Sequence, residues 1–394
     1  MSELSYLEKL LDGVEVEWLP LAKVCRLING RAYKQEELLS KGKYPVLRVG
    51  NFFTNQNWYY SDLELDQDKY CDNGDLLYAW SASFGPRIWH GGKSIYHYHI
   101  WKVVPDSDFI CKQFLYYLLQ WDTKALKDAH STGSTMMHIS KTTIEKRLVP
   151  IPCPDTPEKS LAIQSEIVRI LDKFTAITAE LIAELTAELN MRKKQYNYYR
   201  DQLLSFKEGE VKWKTLGEIT EINTGQKPSE ILDKAATFDY INAGTSRSGY
   251  TTMSNCDGDT VTTPSRGQGG IGFVGYQKTP FWLGPLCYKI KSLNNEILIN
   301  KFLFYTLQSR NRILLSLKKE GGVPAVNKID LAKLIIPLPS LDEQKRIVSL
   351  LDKFDTLTNS ITEGLPREIE LHQKQYEYYR DLLFSFPKPE TVSN

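Results

Sequence analysis

The sequence predicts an α+β protein: two mixed α/β domains joined by two long helices that form a coiled coil, in a pseudo-twofold, circular organisation. Three observations carry this. A helical segment repeats faithfully 180 residues apart, with Leu171-Asp172-Lys173-Phe174 returning as Leu351-Asp352-Lys353-Phe354. The same segment then gives Lys194-Gln195-Tyr196-Asn197-Tyr198-Tyr199-Arg200-Asp201, which returns as Lys374-Gln375-Tyr376-Glu377-Tyr378-Tyr379-Arg380-Asp381. The regions between the helical copies repeat more faintly, and the N-terminal Tyr6-Leu7-Glu8-Lys9-Leu10-Leu11 echoes Tyr199-Arg200-Asp201-Gln202-Leu203-Leu204. The chain therefore opens on the end of a repeat, as a circularly arranged molecule does.

The helical reading rests on apolar spacing. Ile167, Ile170, Leu171, Phe174, Ile177 and Leu181 recur at intervals of three and four, as do Ile347, Leu350, Leu351, Phe354, Leu357 and Ile361. Proline-bearing runs precede both stripes, Pro150-Ile151-Pro152-Cys153-Pro154 and Pro337-Leu338-Pro339, and mark their starts. Each helix spans roughly 45 residues, about 65–70 Å. The first contains the reiteration Thr178-Ala179-Glu180-Leu181, Ile182-Ala183-Glu184-Leu185, Thr186-Ala187-Glu188-Leu189, built from strong helix formers. The second has Gly364-Leu365-Pro366 near the corresponding place, which is expected to kink or divide it. One tetrapeptide adds about 6 Å and about 40° of net rotation, while one DNA base pair turns by roughly 34–36°.

The intervening regions share anchors at a drifting register. Trp18 aligns with Trp213, Gly30 with Gly225, Gly74-Asp75 with Gly258-Asp259, and Phe114-Leu115-Tyr116-Tyr117 with Phe302-Leu303-Phe304-Tyr305. Two copies of one scaffold with different loop lengths produce such drift. The runs Tyr44–Val49, Ile95–Val104 and Phe281–Ile290 read as strands, and Tyr116–Gln120 and Phe302–Gln308 as helical.

Composition is that of a globular chain of two to four domains: 394 residues, 42% hydrophobic, 25% charged, with a net charge of +1. No run of about 18 apolar residues exists to cross a membrane, and Met1-Ser2-Glu3-Leu4 does not begin a secretion signal. Six scattered cysteines without a Cys-x-x-Cys pair are expected as free thiols of a cytoplasmic protein. Residues 16–150 hold 17 Lys and Arg against 14 Asp and Glu, and residues 211–336 hold 16 against 10. The helical segments are acidic, so positive charge collects where a polyanion would be met.

No enzyme motif survives inspection. Gly267-Gln268-Gly269-Gly270-Ile271-Gly272 fits a dinucleotide fingerprint only as a string, because a strand rather than a helix is expected after it. Gly92-Lys93-Ser94 lacks the preceding glycine at phosphate-loop spacing, and His97 and His99, expected on one strand face, have no third metal ligand. An Asn-Pro-Pro-Tyr-like motif and a carboxylate–lysine nuclease cluster are both missing from the string. What remains is a recognition surface, with Arg31, Lys34, Arg48, Trp80, Arg87, Trp89 and His90 as candidates in the first domain. Gln226, Lys227, Asn242, Thr245, Arg247, Ser265, Arg266 and Gln268 are those of the second. Arg reads guanine and Asn or Gln reads adenine, while Lys and Ser hold phosphate. Residue chemistry alone leaves two other classes open, a self-sufficient methyltransferase or nuclease and a coiled-coil scaffold without DNA contact.

The Leu-Asp-Lys-Phe and Tyr-Tyr-Arg-Asp repeats and the Thr-Ala-Glu-Leu reiteration resemble those of type I restriction-modification specificity subunits (HsdS), closest to the type IC group, along the whole chain. The resemblance implies a non-catalytic, DNA-binding subunit in which two target-recognition domains each read half of a bipartite double-stranded site. It implies that the two long helical regions run antiparallel as a coiled coil and act as a spacer. The number of Thr-Ala-Glu-Leu units, with Thr178, Leu181, Leu185, Thr186 and Leu189 among their residues, then sets the gap between half-sites. It also implies two methyltransferase (M) subunits carrying S-adenosylmethionine and restriction (R) subunits using ATP and Mg, with no cofactor on this chain. The expected division is an N-terminal arm (1–15), recognition domain 1 (16–155), a first helical region (156–210), recognition domain 2 (211–339) and a second helical region with its tail (340–394). Ile182 stands where the reiteration has Thr in its other units.

Overall fold

The computed structural model describes residues 6–53, 55–81, 85–130, 138–234, 237–267, 269–319, 323–360 and 362–388. The chain divides into two compact units, Met1–Leu181 with His372–Asn394, and Ile182–Leu371. The helix Pro157–Leu203 contributes residues to both units, and the second helical region is divided. It consists of Leu341–Asn359 and Gly364–Leu383 rather than one long helix. Gly364 begins the second piece at φ +75°, and a Cβ there would lie 2.7 Å from the carbonyl oxygens of Thr356 and Leu357. Pro366 then falls in the first helical turn, where a missing N–H costs nothing.

The two units repeat one strand plan. In the first, Cys25–Asn29, Ile100–Pro105, Leu76–Ala79 and Gly85–Ile88 form an antiparallel sheet in that order. A second sheet runs Tyr59–Ser61, Tyr44–Leu47, Ser94–Tyr96 and Tyr70–Cys71, with its two middle strands parallel. Val16–Pro20 pairs with Leu148–Pro152. The other unit has Thr220–Thr224, Cys287–Ser292, Thr260–Pro264 and Gly275–Gln277 in the same order. It then has Gly249–Thr251, Phe238–Ile241 and Trp282–Leu283, again with a parallel pair, and Lys212–Thr215 against Ile335–Leu338. The faint sequence echo is thus a shared scaffold. Gly30 and Gly225 are at equivalent points, and a Cβ would lie 2.2 Å from the Tyr96 carbonyl oxygen and 1.8 Å from that of Leu283. Only glycine fits this approach.

Two strand expectations are corrected. The runs Ile95–Val104 and Phe281–Ile290 are each two strands belonging to different sheets, broken at His97–His99 and at Gly284–Leu286. His97 and His99 therefore lie in a turn and not on one strand face.

Each domain helix packs on a helical repeat through matching polar contacts. In the first unit the helix Lys112–His130 begins where the Cys111 N–H donates to Gln164 Oε1 at 2.9 Å. Gln164 Nε2 donates in turn to the Phe109 carbonyl at 2.9 Å. In the second, the Ile299 N–H donates to Gln344 Oε1 at 2.9 Å, and Gln344 Nε2 donates to the carbonyls of Ile297 and Pro339 at 2.9 and 3.0 Å. Tyr117 donates to Asp172 at 2.6 Å, and Tyr305 donates to Asp352. Burial and the adjacent carboxylate both push these tyrosine hydroxyls above their ordinary pKa. Around these contacts Ile163, Ile167 and Leu171 join Phe114, Leu118, Leu383 and Phe384 in one core. Ile347 and Leu351 join Phe302, Leu303, Tyr196 and Leu204 in the other. Within the first unit Phe174 stacks on Tyr379 (5.4 Å, 7°) and Thr175 bonds Tyr376 at 3.0 Å, so those helical segments run antiparallel. Within the second, Tyr199 stacks on Phe354 (5.8 Å, 25°).

Along the reiterated tetrapeptides, Thr178, Leu181, Ile182, Leu185 and Leu189 are half-buried, while Thr186 is exposed. Ile182 falls on the inward stripe, where an apolar side chain suits the helix better than a hydroxyl.

Gln344 is fully buried. Gln344→Ala leaves the Ile299 N–H and two carbonyls without the partners they have in the fold, at about 1–3 kcal/mol per unmet group. Urea unfolding followed by tryptophan fluorescence is expected to show that loss, and an unchanged midpoint would make the amide dispensable.

Candidate nucleic-acid interface

The broken strands create a loop cluster in each domain. In the first, the turn after Tyr96 is held from several directions: the His97 N–H donates to the Leu47 carbonyl at 2.9 Å and the Tyr98 N–H to that of Arg31 at 3.1 Å. The Trp80 N–H donates to the His99 carbonyl at 3.1 Å, and Trp80 Nε1 to that of Tyr98 at 2.8 Å. The second domain builds the same knot from different side chains. The Gln226 N–H donates to the Leu283 carbonyl (3.0 Å), the Gly284 N–H to that of Ile241 (2.8 Å) and the Ser265 N–H to that of Leu286 (2.9 Å). Arg31 thus corresponds to Gln226, Arg48 to Asn242 and Trp80 to Ser265. The structure brings these candidates together within each domain, together with Arg266.

Their chemistry differs from what residue type alone implies. Both ends of the Arg31 guanidinium are occupied by Glu37, at 2.7 and 2.9 Å. That contact and the Lys34 backbone N–H draw the Glu37 carboxyl down to about 2. Arg48 lies 4.3 Å above the Tyr59 ring, and its Nε is buried without a hydrogen-bond partner. Asn242 Oδ1 accepts from the Leu286 N–H at 2.9 Å and so braces the turn. Ser265 is buried, whereas Arg266 is exposed. Arg247 pairs with Asp239 at 3.1 Å and lies 4.1 Å from the Tyr250 ring.

The remaining candidates have surroundings of their own. Arg87 sits over Phe53 (5.1 Å) in a groove of about 350 Å³ shared with Tyr116, Gln120 and Lys124. Trp89 donates to the Gly92 carbonyl at 3.0 Å and neighbours Trp58. Lys34, His90, Lys227 and Thr245 are exposed side chains, and Gln268 lies outside the described residues. Among the described residues no group of three His, Cys, Asp or Glu could hold a metal ion. The six cysteines are free, and burial pushes Cys25, Cys71 and Cys287 up to about 12. No helix of the described chain is long and apolar enough to cross a membrane.

Residue reasoning missed a ring cluster. Tyr98 lies 4.0 Å from His99 and 4.4 Å from His97, while Trp80 meets His99 edge-on at 4.9 Å and His138 at 5.9 Å. Tyr98 remains exposed at the tip. The signal lay in the second half, where Gly284-Pro285 is a turn dipeptide that the alignment of halves transfers onto His97-Tyr98. His97 is lowered to about 4 by burial, then by His99 and Arg48, and His99 is lowered by burial and His138. Both imidazoles are neutral near pH 7, each with one donor and one acceptor nitrogen.

A family model described as "Type I restriction modification DNA specificity domain" matches twice, over residues 14–191 and 208–371. The chain belongs to the type I restriction-modification specificity subunits. It is 43% identical to the EcoR124I/EcoR124II specificity subunit of Escherichia coli, with all of both chains covered. It is 41% identical to the EcoprrI specificity subunit of Escherichia coli over 92% of this chain and 93% of that one. Among solved structures, a chain from work on assembly and conformational transition of the type I R-M system superposes at a TM-score of 0.62, with 17% identity and 94% and 97% coverage. The Mycoplasma genitalium S subunit superposes at 0.51, with 18% identity and 96% and 98% coverage. These two share the fold of this subunit.

The His97 shift carries a stability signature. Between pH 6.5, its unshifted value, and about 4, the unfolded chain takes up a proton that the folded chain refuses, so stability falls as pH falls through this window. His97→Gln is expected to flatten that part of the curve in denaturant titrations, and an unchanged slope contradicts the assignment.

Proposed function

We propose that residues 16–155 and 211–339 are target-recognition domains, each reading one half of a bipartite DNA site. The observation that carries the reading is one loop scaffold presented twice with different side chains: Arg48, Trp80, Tyr98 and His99 in one copy and Asn242, Ser265, Pro285 and Leu286 in the other. A common frame with unlike tips suits two unlike half-sites. Arg266, Lys227 and Lys34, which are exposed, are placed as phosphate or base contacts, and Arg48 supplies an unpaired donor at the base of the first cluster. Arg31, Asn242 and Ser265 support the loops rather than meeting DNA first.

The tetrapeptide-built part of Pro157–Leu203 serves as the spacer, with Leu181, Leu185 and Leu189 on its packing stripe. The chain supplies specificity and a docking frame and no catalytic group. Two methyltransferase subunits bring S-adenosylmethionine, restriction subunits bring ATP and Mg, and the complex works in the cytoplasm.

Mapping methylated adenines in a host carrying this subunit and its methyltransferase partner gives both half-sites and the gap. Deleting Thr186–Leu189 is expected to shorten the gap by about one base pair with both half-sites kept. Altered half-sites in that variant overturn the spacer reading. Tyr98→Ala with His99→Ala is expected to relax one half-site and leave the other intact. Unchanged preference at both halves removes the loop cluster from DNA reading.

A further inference from the structure

The groove of about 350 Å³ in the first unit is lined from the strand Gly85–Ile88 and the helix Lys112–His130. Arg87, Lys124 and Lys127 supply its charge, and Phe53 and Tyr116 give it aromatic walls. The three cations are exposed, and among the described lining residues none is acidic. Lys124 is held to one side by Glu377 at 2.6 Å. Arg87 stands over the Phe53 ring at 5.1 Å, and among the described residues it has no carboxylate partner. A guanidinium resting on a ring face keeps its edge N–H groups available, and that fork matches two phosphate oxygens.

The groove adjoins the loop cluster on two borders. Gly85 pairs with Ala79, the residue before Trp80, and Phe53 ends the helical turn Val49–Phe53 that starts beside Arg48. That turn is about 7 Å long. Phosphates along one strand of a duplex advance by about 3.4 Å each. A strand met at Arg48, Trp80 and Tyr98 therefore has phosphates at the groove about two or three nucleotides away. The second unit keeps the strand without the cation. Arg87 is paired with Leu77 across the sheet where Gly275 is paired with Thr262. The neighbouring Gly272 lies against Leu315, whose side chain is 2.6 Å from the place of a Cβ.

We infer that Arg87, with Lys124 and Lys127, forms a phosphate clamp on the DNA flanking the first half-site. The clamp positions the duplex without reading a base, and the second domain has no counterpart, so the two halves of the site are anchored unequally. This rests on the proposed function, which brings DNA to the adjoining loops. An acidic protein segment is the competing occupant.

The test uses the full chain with its methyltransferase subunit and a fluorescent duplex carrying the site found by methylation mapping, titrated at a series of salt concentrations. Arg87→Gln is expected to weaken specific and non-specific binding alike, several-fold, and to reduce the slope of log affinity against log salt by about 0.9. Arg87→Lys keeps the slope, because a phosphate contact needs the charge. Replacing phosphates one at a time with uncharged methylphosphonates locates the clamp. Wild type loses affinity at a phosphate flanking the first half-site, and Arg87→Gln is indifferent to that replacement. The mapped half-sites stay the same in both variants, and the melting temperature stays at the wild-type value because Arg87 is exposed. Wild type without preference for its mapped site overturns the proposed function itself. With that preference intact, an unchanged slope in Arg87→Gln, the same loss in Arg87→Lys, or a wild-type methylphosphonate profile in Arg87→Gln overturns the clamp. An altered half-site does so too, since it makes Arg87 a base reader. Loss of the methyltransferase subunit from Arg87→Gln in native mass spectrometry assigns the groove to a protein contact and overturns the clamp as well.

Discussion

A glutamine amide buried on each helical repeat closes the N-terminal end of a domain helix, and the rest of each unit is arranged around that contact. Gln164 and Gln344 are fully buried, and every hydrogen bond they make replaces water that cannot reach the site. The clamp fixes where Lys112–His130 and Asn300–Ser309 begin, and the apolar stripe that follows fixes how they lie. Eight residues beyond each glutamine, Asp172 and Asp352 receive Tyr117 and Tyr305. Of the two contacts the glutamine is the costlier to lose, because its partners are buried backbone groups whereas Asp172 remains exposed to solvent. Both clamp residues must keep their spacing on a rigid helix, which is why the helical echo holds at 180 residues while the domains drift.

The same reasoning explains what could be read from the string. Periodicity located the helices, since one buried face at intervals of three and four is a property of the local sequence. Gly364 and Pro366 announced the division of the second helical region for an equally local reason. The turns at His97–His99 and Gly284–Leu286 were not legible from β-branched and aromatic content, because both arms of each turn are strands. Only their membership of different sheets separates them, and that is settled by residues far away in sequence, such as Leu47 and Ile241. Aligning the halves, so that Gly284-Pro285 speaks for His97-Tyr98, recovers the break in the first copy.

Candidate side chains obey a similar limit. Residue type names what a guanidinium or amide can do, but not what already holds it. Arg31 and Arg247 carry the chemistry of a base reader and spend it on Glu37 and Asp239. Asn242 uses its carbonyl oxygen to brace a neighbouring turn. Arg48, by contrast, is left with a buried and unpartnered Nε. An unmet donor at the base of the loop cluster is a cost of order 1–3 kcal/mol.

Division of labour between helices and loops then follows from packing rather than from history alone. The loop tips are braced mostly by backbone hydrogen bonds, as between Trp80 and His99 or Ser265 and Leu286, and these are indifferent to the side chains displayed. Pro285 and Ser265 stand where the first copy has Tyr98 and Trp80. The two bonds made by the Tyr98 N–H and the Trp80 ring are lost there, while the backbone bond from Trp80 to His99 recurs from Ser265 to Leu286. The helical repeats are braced by side chains, Gln164, Asp172, Phe174 and Tyr379 in one unit and Gln344, Asp352, Phe354 and Tyr199 in the other. Changing any of those strands a buried partner or opens a ring stack. A fold that fixes its frame with side chains and its variable tips with backbone lets sequence recognition change while the spacing and docking frame stay put.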